Sequence, residues 1–350
     1  MSKTFLLYGA NGFVGSEAAR LALRLGLRPV LAGRSKEALS QLANELDLDY
    51  RVFGLDEPGK LDKELKDFPL VLHCAGPYIF TSKPMVEACL RSGTHYLDIT
   101  GEIPVYKDIA SKDVEAREKG VMLLPGVGFD VAPTDCLAVH LKKRLPTATH
   151  LAMAFQSIGP AGLPPGTQRT MFEMIPYGFQ SRVDGVLKSL PRSKKIRHID
   201  LGNGEVEATR LTWGDVFTAY LSTGIPNIES YLVLSPSMKK GMAFLGILSP
   251  LFRYKAVRNF FKRGVKPGPS LAECENSTTL VWGEVTDDRG RKAVARLHGP
   301  EGGLIWTSKT AIAAVQKVLD GIAPVGFQTP AKAFGSEFVL ESEGVSLEDL

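Results

Sequence analysis

The chain has 350 residues, of which 44% are hydrophobic and 23% are charged, and its formal net charge is +4. This length favours two domains, because single hydrophobic cores rarely grow beyond about 250–300 residues. The net charge is small and basic residues occur throughout the chain, which argues against a nucleic-acid partner.

The four cysteines and six histidines show no metal-binding spacing. Cys74, Cys89, Cys136 and Cys274 lie far apart without a CxxC pair, so we expect reduced, buried cysteines and no metal site. The first predicted strand starts at Thr4, which leaves no room for a signal peptide. We therefore expect a cytoplasmic protein.

Residues 1–131 show short apolar runs that alternate with amphipathic patterns. The predicted strands are Thr4–Tyr8, Pro29–Ala32, Tyr50–Leu55, Leu70–Ala75, Tyr96–Thr100 and Val121–Pro125. The predicted helices are Phe13–Leu25, Lys36–Leu46, Lys60–Phe68, Pro84–Arg91 and Val105–Lys119. Apolar strands that alternate with helices indicate a parallel sheet covered on both faces. We expect an α/β fold in which residues 1–131 form a Rossmann-type doubly wound parallel sheet.

The pattern becomes looser after residue 131 and favours a second, α+β domain over residues 132–305. A helix is predicted from Pro133, and a hairpin is predicted to turn at Asp288–Gly290. Further strands are predicted near Leu151–Gln156, Ile196–Leu201 and Val206–Thr212. Residues 306–350 contain an amphipathic helix and a tail, for which packing against the first domain is one option.

Three glycines mark the junction between the first strand and the first helix. Gly9, Gly12 and Gly15 form a GxxGxxG pattern, a relative of the dinucleotide-binding GxGxxG fingerprint. By this analogy Gly9 permits a tight turn, Gly12 admits the pyrophosphate, and Gly15 lets the helix pack on the strand. Three residues between these glycines are further candidate cofactor contacts: Asn11, Phe13 and Val14. A purely structural turn is the alternative.

The end of the second predicted strand discriminates between the two nicotinamide cofactors. An acidic residue there would bind the ribose hydroxyl of NAD, but this chain has Arg34 and Ser35. A guanidinium group forms charge-assisted bonds with a 2′-phosphate, so NADP(H) is the predicted cofactor. Asp56, after the third strand, is a candidate for the adenine contact. An exposed helix-end arginine and a plain turn aspartate are the alternatives.

Loops at the carboxyl ends of the later strands are candidates for the chemistry. Ala75, Gly76 and Pro77 are expected beside the nicotinamide side of the cofactor. Tyr78 is the first candidate proton donor and Asp130 the second, with packing and loop capping as their alternatives. The YxxxK pair of many short-chain reductases is missing, since the nearest lysine after Tyr78 is Lys83. Asp98 and Glu102 could orient substrate, although capping of loops suits them equally.

Longer segments resemble the saccharopine dehydrogenase-like oxidoreductase family. They are "HCAGPYIFTSKPMVEACLRSGTHYLDITGE" (73–102) and "LPGVGFDVAPTDCLAVHL" (124–141). The downstream blocks "PPGTQRTMFEM", "TWGDVFTAYLSTGIPNIESY" and "GFQTPAKAFG" resemble its subgroup that includes trans-acting enoyl reductases. The resemblance implies a Rossmann domain and a substrate domain whose sheet also mediates dimerisation, hence a homodimer. Candidate cleft residues in these blocks are Arg169, Trp213, Asp215, Asn227 and Tyr231.

A segment of basic, aromatic and aliphatic residues, 238–264, raises the question of membrane contact. Its apolar part is too short to span a bilayer and is interrupted by Pro250. It could lie on an anionic membrane or cover a lipophilic substrate. A core or dimer-interface helix pair is the alternative.

These observations favour an NADP(H)-dependent reductase that acts on a lipophilic, unsaturated acyl substrate. An imine or amino-acid reductase is the second enzyme hypothesis, and its polycarboxylate substrate would require an arginine cluster. Arg169, Arg182 and Arg210 are the arginines that the sequence offers for it. A nucleotide-binding or lipid-surface protein without turnover is the alternative from another class.

Overall fold

The computed structural model describes residues 4–190 and 196–350, which form two compact units. The first unit runs to Ala132 and includes residues 303–343, and the second unit consists of residues 133–302 and 344–350. The last segment of the sequence-based division, 306–350, is therefore shared between the two units. Each unit is described separately below.

The strands of both units, in chain order, are short except around the second sheet. They are β1 (Leu6–Tyr8), β2 (Val30–Gly33), β3 (Tyr50–Val52), β4 (Leu70–His73), β5 (His95–Asp98), β6 (Met122–Leu124), β7 (His150–Ile158), β8 (Phe179–Val183), β9 (Val186–Leu190), β10 (Ile196–Asp200), β11 (Glu205–Leu211), β12 (Asn227–Val233), β13 (Thr278–Thr286), β14 (Lys292–Pro300), β15 (Gly326–Phe327) and β16 (Ser346–Asp349).

The helices alternate with the strands in the first part of the chain. They are α1 (Phe13–Arg24), α2 (Lys36–Leu46), α3 (Pro58–Leu65), α4 (Tyr78–Ser92), α5 (Ile103–Ala110), α6 (Asp113–Glu118), α7 (Ala132–Arg144), α8 (Pro165–Met174), α9 (Asp215–Thr223), α10 (Pro236–Leu248), α11 (Lys255–Arg263), α12 (Leu271–Glu275), α13 (Thr307–Leu319) and α14 (Pro330–Phe334). A 3₁₀ turn over Ser249–Arg253 joins α10 to α11.

The first unit contains a parallel sheet with the strand order β15-β6-β5-β4-β1-β2-β3. Every strand pair in it is parallel. The order 3-2-1-4-5-6 within it is that of the doubly wound dinucleotide-binding fold, so the predicted fold class is confirmed. The residues of β1, β4 and β6 are buried, as expected for strands covered on both faces.

Two helices of the first unit differ from the sequence prediction. Helix α4 begins at Tyr78 and not at Pro84, because Glu102, distant in sequence, caps its first turn. The single helix predicted over 105–119 is broken at Ser111 and Lys112 into α5 and α6. Neither a remote cap nor a two-residue break has a signature in local periodicity.

The second unit is built on a mixed sheet with the order β10-β11-β12-β7-β13-β14-β16, from which the β8–β9 hairpin branches at β12. A core cluster on one face includes Tyr231 and Trp282, which are 2% and 5% exposed. Residues 287–291 close the β13–β14 hairpin, where the turn was expected. The sheet with its flanking helices matches the predicted α+β composition.

Candidate cofactor-binding site

Two glycines of the first turn are required by the protein's own backbone. Gly9 has φ +82°, and a Cβ on it would lie 2.8 Å from the backbone nitrogen of Ala75. A Cβ on Gly15 would lie 3.0 Å from the Cα of Ala10 and would overlap the carbonyl oxygen of Gly9. Both glycines therefore permit the close approach of strand, turn and helix.

Gly12 differs from the other two glycines because little of the protein surrounds it. It has φ −78°, and a Cβ on it would meet the Gly9 carbonyl oxygen at 3.1 Å and the Cys74 carbonyl oxygen only at 4.0 Å. Gly12 is the N-cap of α1 and offers no capping side chain. The first N–H groups of a helix, here those of Phe13 and Val14, have no partner within the helix, and the helix dipole favours an anion beside them. This cradle fits a pyrophosphate.

The loops next to the glycine turn complete this part of the edge. Asn11 is exposed, and its Oδ1 lies 3.2 Å from the position that a Cβ on Gly33 would take at the end of β2. On the other side, Ala75, Gly76 and Pro77 follow β4 directly, and the Gly76–Pro77 peptide bond is cis. The cofactor candidates Asn11 and 75–77 therefore flank the turn, as the strand order requires.

Arg34 and Asp56 lie on the opposite side of β1 and share one neighbour, the hydroxyl of Tyr8. Burial raises the pKa of Tyr8 to about 12, while the Arg34 charge opposes this shift and the Asp56 charge adds to it. Both candidate side chains are exposed. Ser35 accepts a hydrogen bond from the Ala38 N–H at 3.5 Å and so caps α2. An exposed guanidinium at the end of β2 is available to a ribose phosphate.

The N-terminus of α4, in contrast to that of α1, holds one of the chain's own carboxylates. Glu102 accepts hydrogen bonds from the N–H of Tyr78 at 2.8 Å and from the N–H of Ile79 at 2.7 Å. Its side chain is 1% exposed. Because this carboxylate fills the helix end, α4 does not offer the anion site that α1 offers. Glu102 thus caps a helix, which was one of its two sequence-based interpretations.

Asp98 fastens the loops that follow β5 and β6. Its Oδ1 accepts the N–H groups of Thr100 and Gly126, each at 2.9 Å, and its Oδ2 accepts the Tyr96 hydroxyl at 2.6 Å. Burial raises the pKa of Asp98 to about 7, although these hydrogen bonds act in the opposite direction. The carboxyl group therefore serves the loop structure at the sheet edge.

His73 lies at the centre of a buried aromatic cluster under the same edge. Its Nδ1 is 3.3 Å from the Tyr96 hydroxyl, and its ring is 5.5 Å from the ring of Tyr8 and 5.4 Å from that of Tyr78. Burial lowers the pKa of His73 to about 3, so the imidazole is neutral near pH 7. The sequence interpretation of an interior histidine agrees with this position.

Tyr78 is the first residue of α4, and its side chain points into this cluster. It is 7% exposed, and its hydroxyl donates to the His73 carbonyl oxygen at 3.1 Å. Burial raises the pKa of Tyr78 well above its usual value. The hydroxyl is therefore committed to the backbone of β4 in this structure.

Asp130 lies where the loops after β5 and β6 meet. Its carboxylate occupies the position that a Cβ on Gly101 would take. It is half-buried, and the neighbouring Phe129 is anchored by its N–H, which donates to the Thr307 hydroxyl at 3.1 Å. Of the two candidate proton donors, Asp130 is the one in the loops at the carboxyl edge.

Arginines of the second unit are largely committed to internal partners. Arg182 donates to the carbonyl oxygens of Val216 at 2.9 Å and Gly185 at 2.8 Å. Arg210 pairs with Glu229 at 3.2 Å, and Arg169 is exposed. The three arginines thus have different environments and form no shared cluster in the printed contacts of the described residues.

The other cleft candidates of the second unit have mainly structural contacts. Asp215 is 1% exposed and accepts a short hydrogen bond from Thr134, and burial raises its pKa to about 7. Tyr231 donates to Glu229 at 2.8 Å. Asn227 donates to the Thr149 carbonyl oxygen at 3.1 Å, and the Trp213 ring packs on Phe155 with centroids 5.1 Å apart.

Neither a metal cluster nor a membrane-spanning helix is found among the described residues. Within 4–190 and 196–350, no group of three or more histidine, cysteine or acidic side chains could hold a metal ion. In the same ranges, no helix is long and apolar enough to cross a bilayer.

Residues 5–124 match the family model of the saccharopine dehydrogenase NADP-binding domain. This range covers the glycine turn, Arg34, Asp56 and the loop after β4. The parallel sheet, the anion cradle and this match define an NADP-binding domain, so the cofactor prediction is confirmed.

Relatives of known name extend the similarity beyond this domain. A saccharopine dehydrogenase-like oxidoreductase from Mus musculus is 32% identical over 181 residues, which cover 45% of this chain and 42% of that protein. A trans-acting enoyl reductase from Mycobacterium leprae is 34% identical over 148 residues, 40% of this chain and 35% of that protein. The chain thus matches less than half the length of these relatives.

A solved structure matches along the whole chain. Saccharopine dehydrogenase (L-Glu forming) from Saccharomyces cerevisiae superposes with a TM-score of 0.67 and 13% identity over 99% of both chains, which shows a common fold. The resemblance to saccharopine dehydrogenase-like oxidoreductases is therefore confirmed. The domain and the relatives together indicate an NADP-dependent oxidoreductase.

Proposed function

We propose that this chain is an NADPH-dependent reductase that acts on the C=C bond of a lipophilic acyl substrate. The observation that carries the cofactor part is the open N-terminus of α1 at Gly12, together with the exposed Arg34 at the end of β2. The substrate part is supported by the similarity to proteins named trans-acting enoyl reductase. Bound NADPH supplies the hydride for such a reduction.

Asp130 is the proton donor in this proposal. Reduction of a polarised C=C bond adds a hydride to one carbon and a proton to the other, so an acid within hydrogen-bond reach accelerates it. The loops after β5 and β6 hold Asp130 at the carboxyl edge of the sheet, where dinucleotide-binding folds bind their ligands. Tyr78 is the second candidate, and its commitment to the His73 carbonyl oxygen disfavours it.

The imine or amino-acid reductase is the second candidate function. A substrate with several carboxylates would require unpaired guanidinium groups. Arg182 and Arg210 already bond to a backbone carbonyl and to Glu229, respectively. This commitment favours the acyl substrate over the imine. A homodimer, a cytoplasmic location and a role without turnover stay predictions from the sequence.

Anaerobic oxidation of NADPH, followed by absorbance, distinguishes these functions. Enoyl thioesters of increasing chain length and a set of imines are offered to the native protein and to Asp130→Asn. We expect turnover with the longer enoyl thioesters, and a loss of about 10²–10⁴-fold in the variant with unchanged NADPH affinity. Turnover confined to imines would favour the second candidate, and NADPH binding without any turnover would favour a non-catalytic role.

A further inference from the structure

The positive charge of the chain is concentrated in one segment of the second unit. Residues 230–272 contain eight lysines and arginines and no aspartate or glutamate. The rest of the chain then has 34 lysines and arginines against 38 aspartates and glutamates, so its net charge is negative. A small overall charge therefore conceals one strongly basic surface.

The same segment exposes large apolar side chains in a regular stripe. Phe244, Ile247 and Leu251 are 58%, 78% and 48% exposed and follow one face of α10 into the 3₁₀ turn. Lys240, also exposed, lies four residues before Phe244 on that face. On α11, Phe260 is 68% exposed. We call these five residues the basic–apolar face.

Other side chains of the segment fix it to the second unit. Glu173 of α8, only 4% exposed, pairs with Arg258 at 2.8 Å and also with Lys262. Inside, the ring of Phe261 packs against those of Phe252 and Phe172, with centroids 4.9 and 5.7 Å apart. The interior contacts of α11 are thus made by residues other than those of the basic–apolar face.

The remaining basic residues surround the apolar stripe. Lys239 pairs with Glu207 at 2.6 Å. Among the described residues, no ion pair is formed by five exposed side chains: Lys240, Arg253, Lys255, Arg263 and Lys266. Self-association through this face would bring like charges together in a two-fold interface, which is unfavourable.

We propose that the basic–apolar face docks on the surface of an anionic lipid bilayer. Exposed aromatic and aliphatic side chains enter the headgroup boundary, while lysines and arginines around them bind anionic headgroups. Helix α10 has 13 residues and is too short to span, since about 20 are needed. Such docking would place the second unit beside lipophilic acyl chains, but the proposal does not depend on the proposed reaction.

Vesicle co-sedimentation of the full chain tests this docking. Neutral phosphatidylcholine vesicles are compared with mixed phosphatidylcholine–phosphatidylglycerol vesicles. We expect binding to the mixed vesicles, little binding to the neutral ones, and weakening by salt. The variants Phe244→Ser/Ile247→Ser and Lys240→Gln/Lys255→Gln/Arg263→Gln should each lose at least about tenfold in affinity.

Matched controls come from the first unit. Val114 is 68% exposed, and Lys63 and Lys119 are exposed lysines outside the segment. Val114→Ser and Lys63→Gln/Lys119→Gln should bind vesicles as the native chain does, and all variants should retain NADPH affinity. Equal binding to both vesicle types, or equal losses in the controls, would overturn the proposal. A native dimer that Phe244→Ser/Ile247→Ser dissociates in sedimentation velocity, without vesicle binding, would assign the face to a second copy.

Discussion

The Cα of Gly15 lies against the carbonyl oxygen of Gly9, so closely that a Cβ on Gly15 would overlap that oxygen. This contact brings the first turn of α1 onto the end of β1. Gly12, between the two, has open space on its outer side. The three glycines therefore have two different roles, and substitutions can separate them.

Gly15→Ala should destabilise the fold, whereas Gly12→Ala should mainly weaken cofactor binding. At Gly15 the backbone must shift, which costs roughly 1–3 kcal/mol or more of unfolding free energy. At Gly12 a Cβ meets only the Gly9 carbonyl oxygen, at 3.1 Å, and would project toward the pyrophosphate. We expect Gly12→Ala to lose at least about tenfold in NADPH affinity, or ~1.4 kcal/mol. Urea unfolding and fluorescence titration measure the two effects.

Gly59→Ala is the control for these variants. Gly59 lies in α3, and a Cβ on it meets nothing within 4 Å. It should leave NADPH affinity unchanged and add slightly to stability, since alanine is the better helix former. A Gly12→Ala protein that binds NADPH as tightly as Gly59→Ala would contradict the phosphate site.

Removal of the Glu102 cap should destabilise the first unit. Glu102→Ala leaves the buried N–H groups of Tyr78 and Ile79 without their acceptor, at a cost of about 1–3 kcal/mol each. Glu102→Gln retains one acceptor oxygen and should lose less. Thermal or urea unfolding of both variants measures this order. Equal stability of Glu102→Ala and the native chain would show that the cap contributes nothing.

Asp98 and His73 should have opposite effects on stability as pH changes. The pKa of His73 is lowered from 6.5 to about 3, so between these values only the unfolded state binds its proton, and stability falls as pH falls. The pKa of Asp98 is raised from 3.8 to about 7, so there only the folded state holds its proton, and stability falls as pH rises. The two contributions oppose each other in the shared range.

Asp98→Asn exposes this balance. Its amide oxygen can still accept the N–H groups of Thr100 and Gly126, but it does not titrate. Between pH 3.8 and 6.5, the stability of the variant relative to the native chain should rise with pH, by up to roughly 1.4 kcal/mol per unit. A pH-independent difference, measured by urea unfolding, would mean that Asp98 titrates normally.

Tyr78→Phe should affect stability more than turnover. The variant loses the hydrogen bond to the His73 carbonyl oxygen, which costs about 1 kcal/mol. If Asp130 donates the proton, turnover of Tyr78→Phe should stay within about threefold of native, far from the 10²–10⁴-fold loss of a general acid. A loss of that size at unchanged stability would return the role to Tyr78. Steady-state kinetics and urea unfolding of the same preparation decide between them.

Local patterns predicted most of the first unit, because its strands are buried and its helices amphipathic. Helix α2 has the predicted bounds, Lys36–Leu46, since Ser35 caps it from the adjacent position. The start of α4 could not be predicted, because its cap, Glu102, lies 24 residues after Tyr78. The same limit applied to Tyr78, whose burial depends on contacts with His73 across the fold.

The glycine turn and Arg34 were recognisable because a phosphate site of this kind is built from consecutive backbone groups and one strand end. The loop network around Asp98 was not, since it joins the ends of two strands to Tyr96 through hydrogen bonds that no spacing rule describes. Sequence therefore indicated the cofactor, and the structure was needed to separate capping carboxylates from candidate acids.

Titration of NADPH and NADH against the native chain and Arg34→Ala tests the central claim most directly. A charge-assisted hydrogen bond from Arg34 to the 2′-phosphate contributes roughly 1.5–3 kcal/mol, which corresponds to about ten- to a hundred-fold preference for NADPH. Arg34→Ala should lose this preference while its NADH affinity stays nearly unchanged, because NADH has no phosphate to bind. Equal native affinities for the two cofactors, or equal losses in the variant, would contradict the account.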